Sequence, residues 1–221
     1  MTGQVKKGLT AASIFFLKSA NHPLSGATPI FVTIMNKGRV ILDQERFSLT
    51  IDRLCQQLIE TYDNFEDTCI VGIQPRGVWL SDRIYTRLQH ILGHASFLYG
   101  KLDITFYRDD FRMRAKPLKA SVTEMEFLVD DKNVILVDDV LYSGRTVQAA
   151  LTALNHYGRA RQVKLLVLVD RRFNRHLPIQ ADYKGITVDA LDDAYVKVEW
   201  ADSNQADRVL LFANKQEAEQ G

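Results

Sequence analysis

Residues Val134-Ile-Leu-Val-Asp-Asp-Val-Leu-Tyr-Ser-Gly-Arg-Thr146 decide how this chain is read. Four apolar residues in a row suit a strand buried on both faces. Two carboxylates, Asp138 and Asp139, then stand at its carboxyl end, where like charges in a partly desolvated cleft repel unless hydroxyls or a cation occupy the site. The run from Tyr142 to Thr146 reads as a tight turn into a helix. Its free backbone N–H groups, the Ser143 and Thr146 hydroxyls and the positive helix terminus make a phosphate cradle. Carboxylates for sugar hydroxyls beside a nest for phosphate describe a ribose 5-phosphate site.

Outward from this stretch, strands alternate with amphipathic helices. Val40 to Leu42 reads as a short strand, and Asp43 as the cap of a helix carrying Phe47, Ile51, Leu54, Cys55, Leu58, Ile59 and Tyr62 on one stripe. Cys69 to Ile73 is a buried strand, followed by the turn Gln74-Pro-Arg-Gly77 and a helix from about Val78 to Leu92 with Leu80, Ile84, Leu88 and Ile91 on its apolar face. A β-type stretch over Ser96 to Tyr107, a polar segment to about Glu126, a helix from Arg145 to Tyr157 and a strand from Val163 to Val169 follow. Ile186 to Val188, Tyr195 to Glu199 and Arg208 to Phe212 read as late short strands. This alternation predicts an α/β fold with a mostly parallel sheet covered by helices on both faces, its ligand at the carboxyl ends of the strands.

Composition bounds the function. The chain has 221 residues and a formal charge of +1, with 28 Lys and Arg against 27 Asp and Glu. Such a chain can bury a sufficient core without disulfides or a structural metal, and it is no bulk polycation for coating nucleic acid. No run of about twenty apolar residues exists to span a membrane. Cys55 and Cys69 fall in apolar segments without metal-type spacing, as reduced core thiols of a cytoplasmic protein do. Residues 1–34 contain Lys6, Lys7 and Lys18 and no acidic residue, so the remainder is slightly acidic. Two lysines before an apolar run suggest a signal peptide, but the run is short and its cleavage region poor. Residues 1–34 are therefore read as a poorly ordered extension, residues 35–214 as the working domain and residues 215–221 as a tail. His90 and His94 have chelating spacing but no third ligand, and are read as a surface pair. Trp79 and the Phe47 stripe are read as core or interface.

The segment from Val134 to Thr146 resembles the phosphoribosyl pyrophosphate (PRPP) signature of type I phosphoribosyltransferases. Further blocks, Gly72-Ile-Gln-Pro-Arg-Gly77, Leu102-Asp-Ile-Thr-Phe-Tyr-Arg-Asp-Asp110, Val167-Leu-Val-Asp-Arg171 and Leu177-Pro-Ile-Gln-Ala-Asp-Tyr183, resemble the PyrR family, bacterial pyrimidine operon attenuators that double as uracil phosphoribosyltransferases. The resemblance covers about Met35 to Phe212. It implies the type I fold, with the late short strands forming a small hood, and a homodimer or larger homo-oligomer. The reaction it implies is uracil plus PRPP giving UMP and pyrophosphate, with Mg2+ held mainly through PRPP. A P-loop is excluded because Val78 stands where Lys is needed, and no G-x-G-x-x-G follows any strand.

Residue by residue, the resemblance assigns Asp138 and Asp139 to the ribose hydroxyls, and Val137 with Val140, Leu141, Tyr142, Ser143, Gly144, Arg145 and Thr146 to the PRPP loop. Pro75, Arg76 and Gly77 match the loop that receives pyrophosphate, although relatives usually carry Thr at position 75. Arg108, with Arg112, Arg114, Lys116 and Lys119, falls on the loop that closes over the reacting centre. Arg171 and the backbone near Val196 would face the pyrimidine. For RNA, Arg53 and Arg175 fall at basic positions of the family's binding face. Asp52, Gln56 and Gln180 replace the Thr, His and Arg common there, so the resemblance implies retained catalysis with weak or lost attenuation. Purines are disfavoured, because six-oxopurine relatives place an Asp where this chain has Tyr142, and a phenol is a far weaker acid than a carboxyl.

Overall fold

The computed structural model describes residues 38–93, 97–109, 120–173, 175–190, 193–201 and 206–220. The expected extension over residues 1–34, the basic cluster from Arg112 to Lys119 and His94 lie outside them. The described chain runs β1 (Arg39–Leu42), α1 (Gln44–Tyr62), β2 (Thr68–Ile73), α2 (Arg76–Leu92), β3 (Leu98–Leu102), β4 (Asn133–Leu141), α3 (Arg145–Leu154), β5 (Gln162–Arg171), β6 (Tyr183–Val188), β7 (Tyr195–Glu199), β8 (Arg208–Phe212) and α4 (Lys215–Gln220). Short 3-10 turns occupy Thr105–Tyr107 and Asn155–Tyr157.

Five parallel strands lie in the order β3-β2-β4-β5-β6. Their unbroken apolar runs divide between two cores, because successive strand residues face opposite sides of a sheet. Ile70, Ile135, Val137, Leu166 and Leu168 pack with Leu54, Leu58, Leu80, Ile84 and Leu88 of α1 and α2. Their neighbours Cys69, Val71, Val134, Leu136, Leu165 and Val167 pack with Val147, Ala150, Ala153 and Leu154 of α3. From β2 the chain moves to one edge of the sheet, and from β4 it moves to the other. The crevice between the carboxyl ends of β2 and β4 is therefore the switch point at which parallel sheets bind ligands.

A second, antiparallel sheet has the order β1-β8-β7. The expected hood of late strands is present, but it recruits β1 from the other end of the chain. Ile186 to Val188, expected among the late short strands, belongs instead to β6 at the edge of the parallel sheet. Arg83 of α2 fastens the small sheet. Its Nε and Nη2 donate to Asp207 at 3.0 and 2.6 Å, its guanidinium lies 4.7 Å from the Trp200 ring centroid, and Asp207 also accepts from the Ala201 N–H. Trp200 packs edge-on against Phe47, so the Phe47 stripe is core, while Trp79, half exposed, lies beside the same indole.

Three element boundaries differ from the sequence reading for local reasons. Helix α2 begins at Arg76 rather than after Gly77, following a cis Gln74–Pro75 peptide, and Ile91 on its expected apolar face is exposed near the end at Gly93. The β-type stretch ends at Leu102 because the Asp103 carboxylate accepts from the Thr105 N–H and hydroxyl, bending the chain into a turn. Residues 215–220, expected as part of a tail, form α4 with Asn214 accepting from the Glu217 N–H as a cap. Asp43 caps α1 as expected, accepting from the Arg46 N–H at 2.9 Å.

Replacing Asp207 with Ala removes two acceptors of Arg83, leaving it the Trp79 carbonyl, and takes the partner from the Ala201 N–H. The expected loss is about 2 kcal/mol of stability, read from urea unfolding midpoints at constant m.

Candidate active site

The carboxylates do not follow the strand, as the sequence suggested; they lie within β4. Alternation along β4 turns them to opposite faces. Asp138 lines a cleft of about 530 Å3 with Arg108, Asp109 and the loop from Val140 to Val147. Asp139 turns toward α2, where it accepts from Arg76 Nε at 2.7 Å. Both are buried, at 6 % and 5 % exposure.

Burial is the largest influence on both, and it pushes both pKa values up. For Asp138 the adjacent Asp139 charge adds to the rise, while the Asp139 N–H, donating at 2.9 Å, and the charges of Arg76 and Arg108 oppose it. For Asp139 the Arg76 charge and hydrogen bond oppose the rise without cancelling it. On Arg76 itself, burial works against the charged form, but Asp139 and Tyr195 of β7 outweigh it and hold the guanidinium charged. The residue expected at the pyrophosphate loop is thus the bridge between the carboxylate pair and the small sheet. Gly77, matched to the pyrophosphate loop, also meets a packing need. A Cβ there would stand 2.4 Å from the Val137 carbonyl oxygen and 3.0 Å from the Asp138 Cα, so α2 meets β4 only without one.

On the other face, the loop from Val140 to Val147 turns at Gly144, at φ +91°, and leads into α3, whose N-cap glycine offers no side chain and whose Arg145 N–H lies 3.5 Å from the Ser143 hydroxyl. Its leading N–H groups are the donors that an anion takes at a helix start. Arg145 pairs with Asp109 and lies near His176, and Arg108 Nη1 is 3.5 Å from the Thr146 hydroxyl. Arg108 and Asp109 therefore stand beside the loop at the cleft. Arg171, at the end of β5, is buried with its guanidinium 4.2 Å from the Tyr142 ring centroid. Val196 is buried in the core of α1 and α2.

The two cations assigned to RNA are both engaged within the chain. Arg53 donates to the carbonyls of Lys184 and Gly185. Arg175 pairs with Asp170 and donates to the carbonyls of Leu141, Tyr142, Arg171 and Ile179. Asp52 pairs with Arg87 of α2 at 2.6 Å. Tyr195, Asp109, Arg175 and His176 were missed as neighbours of the cleft, since no spacing in the chain relates them to residues 138–146.

Mg2+ takes oxygen ligands, commonly one or two carboxylates with substrate phosphates. Asp138 and Asp139 offer that donor type, and among the described residues no cluster of three or more His, Cys, Asp or Glu could hold an ion unaided. No helix among them is long and apolar enough to cross a membrane. The thiols of Cys55 and Cys69 are buried and pushed up to about 12 by that burial, which makes them inert core groups.

The phosphoribosyl transferase domain model matches residues 18–202. "Bifunctional protein PyrR" of Desulfosudis oleivorans is 40 % identical over 177 residues, covering 80 % of this chain and 97 % of the relative. This chain belongs to the PyrR family of phosphoribosyltransferases. The protein of the same name from Bacillus mycoides is 38 % identical over 180 residues, covering 80 % of this chain and 99 % of its own. Solved structures similar to this PyrR-family chain include hypoxanthine phosphoribosyltransferases of Staphylococcus aureus (TM-score 0.57, 18 % identity, 75 % of this chain and 85 % of that one) and Trypanosoma cruzi (TM-score 0.60, 12 % identity, 80 % and 97 %). At those identities the likeness shows the type I fold.

The buried carboxylates give a pH signature. A carboxyl whose pKa is raised by folding binds protons more readily folded than unfolded, so stability falls as pH rises from the ordinary value of 3.8 through the raised one. Asp138→Asn, neutral at every pH, is expected to raise the thermal midpoint of the ligand-free protein at neutral pH. The gain should vanish at pH 3.8 and below. A variant no more stable than wild type at pH 7 contradicts this account.

Proposed function

We propose that this chain transfers the ribosyl 5-phosphate group from PRPP to uracil, releasing pyrophosphate. The observation that carries this reading is the buried pair Asp138 and Asp139, flanked on one face by the left-handed phosphate loop and on the other by Arg76. The loop holds the 5-phosphate, the carboxylates hold the ribose hydroxyls, and Arg76 faces the departing pyrophosphate. The anomeric C–O bond breaks and its electron pair leaves on pyrophosphate; N1 of uracil bonds the anomeric carbon and gives up its proton. Mg2+, when bound, neutralises part of the pyrophosphate charge.

Arg76 is suited to its part because Asp139 and Tyr195 fix it in place, so little reorganisation is needed as charge develops on the leaving group. The carboxylates favour the oxocarbenium-like sugar, and the cleft, with Arg108 and Asp109 in its wall, limits water at the reacting carbon. Tyr142, held under Arg171, puts an aromatic ring on the base side of the cleft, where it offers no acid to a purine ring nitrogen. The relatives are named bifunctional, with a regulatory function beside the transferase in this family. For the regulatory one, we propose weak RNA binding in this chain, because Arg53 and Arg175 spend donors on internal carbonyls and Asp52 adds a carboxylate to the same helix as Arg53.

Incubation with PRPP and Mg2+ and each of uracil, orotate, hypoxanthine and guanine tests the assignment by nucleotide release. Uracil turnover is expected, falling by about 100-fold in Asp139→Asn, which unseats Arg76; turnover of hypoxanthine alone overturns the reading. For RNA, a leader transcript of pyrimidine genes titrated with and without UMP at about 0.15 M salt should bind weakly. Tight UMP-dependent binding refutes the second proposal.

A further inference from the structure

One guanidinium spans the back of the phosphate loop. Arg175 donates from Nη1 to the carbonyls of Leu141, at 3.1 Å, and Tyr142. The next residue continues the clamp, its backbone N–H donating to the Ser143 carbonyl at 3.0 Å. Successive loop carbonyls from 141 to 143 are therefore held from behind by two adjacent residues. In a planar trans peptide the N–H points opposite to the C=O of the same unit. Holding these carbonyls turns the N–H groups of Tyr142, Ser143 and Gly144 the other way, and those residues line the cleft. Leu177 and Ile179 support the same turn, since a Cβ on Gly144 would meet them at 3.5 and 3.3 Å.

The guanidinium also reaches the base side. It pairs with Asp170 and donates to the Arg171 carbonyl at 3.0 Å, at the end of β5 where Arg171 stacks on Tyr142. With Nε on the Ile179 carbonyl at 3.1 Å, its donors are spread over several acceptors in fixed directions. Its side chain is 23 % exposed, so these bonds form in a largely dry setting. Lys, with one rotating ammonium, cannot reproduce this fan of planar donors.

We infer that Arg175 is a positioning residue that presets the phosphate loop for the 5-phosphate of a pyrimidine nucleotide, acting through the loop carbonyls and making no substrate contact of its own. The inference rests on the assignment of this loop to the 5-phosphate. It gives the basic residue at this position a role within the transferase site.

Calorimetric titration of UMP and of uridine into wild type, Arg175→Lys and Asp170→Asn separates the possibilities. In Arg175→Lys, UMP affinity is expected to fall by about tenfold while uridine affinity holds, and the KM for PRPP to rise by a similar factor with kcat nearly kept. A merely structural role lowers the melting temperature without separating UMP from uridine. UMP binding as tight as wild type, or equal losses for UMP and uridine, overturns the inference. If Arg175→Lys does not fold, Asp170→Asn decides: it frees one side of the guanidinium, so a smaller loss confined to UMP supports the inference, and an equal loss or none overturns it. A wild type that binds UMP no better than uridine refutes the 5-phosphate assignment itself, a failure seen before any variant is made.

Discussion

Two adjacent carboxylates buried in the middle of a parallel sheet are the constraint around which this molecule is arranged. Neither Asp138 nor Asp139 reaches enough water to be comfortable as an ion, and each raises the other's cost. The fold offsets that cost with a guanidinium from α2, a backbone N–H and the charge of Arg108. Arg76 can reach Asp139 only because Gly77 lets the start of α2 lie against the β4 backbone. A site of this kind is destabilised while empty and relieved by a ligand that brings hydroxyls or a cation, which is how a binding cleft stores preference for its substrate.

The rest of the architecture holds four chain segments at that point. The carboxyl ends of β2 and β4 meet at the switch of strand direction, β5 ends beside them at Arg171, and β7 brings Tyr195 to Arg76. The small sheet carrying Tyr195 is tied to α2 by Arg83 and Asp207, seven residues along the helix from Arg76 on one side of the pair and across the Trp200 ring on the other. Arg76 and the strand that carries Tyr195 are thus fixed to the same helix. The loop from Val140 to Val147 is fixed separately, from behind, by the segment after β5.

Much of this was legible in the chain. Apolar runs marked β2, β4 and β5, helical stripes marked α1 and α2, and the segment from Val134 to Thr146 named its ligand chemistry, because local spacing and local polarity encode those features. What spacing did not show shares a physical origin. Asp138 and Asp139 were taken to follow the strand, since two acids look like a strand's end, but the ladder to β5 continues through them to Leu141. Arg175 falls at a basic position of the family's RNA-binding face, and its donors are engaged with carbonyls up to 34 residues away. Gly77, matched to the pyrophosphate loop, is also room for a helix.

By itself the sequence determined the order of strands and helices, the two-sided burial of the sheet, and the presence of a ribose phosphate motif, because each depends on residues within a turn or two of one another. Tertiary structure alone decided that the paired carboxylates face opposite sides, that Arg76 bridges Asp139 and Tyr195, that β1 joins β8 in the small sheet, and that Arg175 bonds the carbonyls of Leu141 and Tyr142. Those outcomes depend on which distant groups are left unpaired when the two cores close. Charge and hydrogen bonding inside a protein are settled by that closing, and no periodicity along the chain records it.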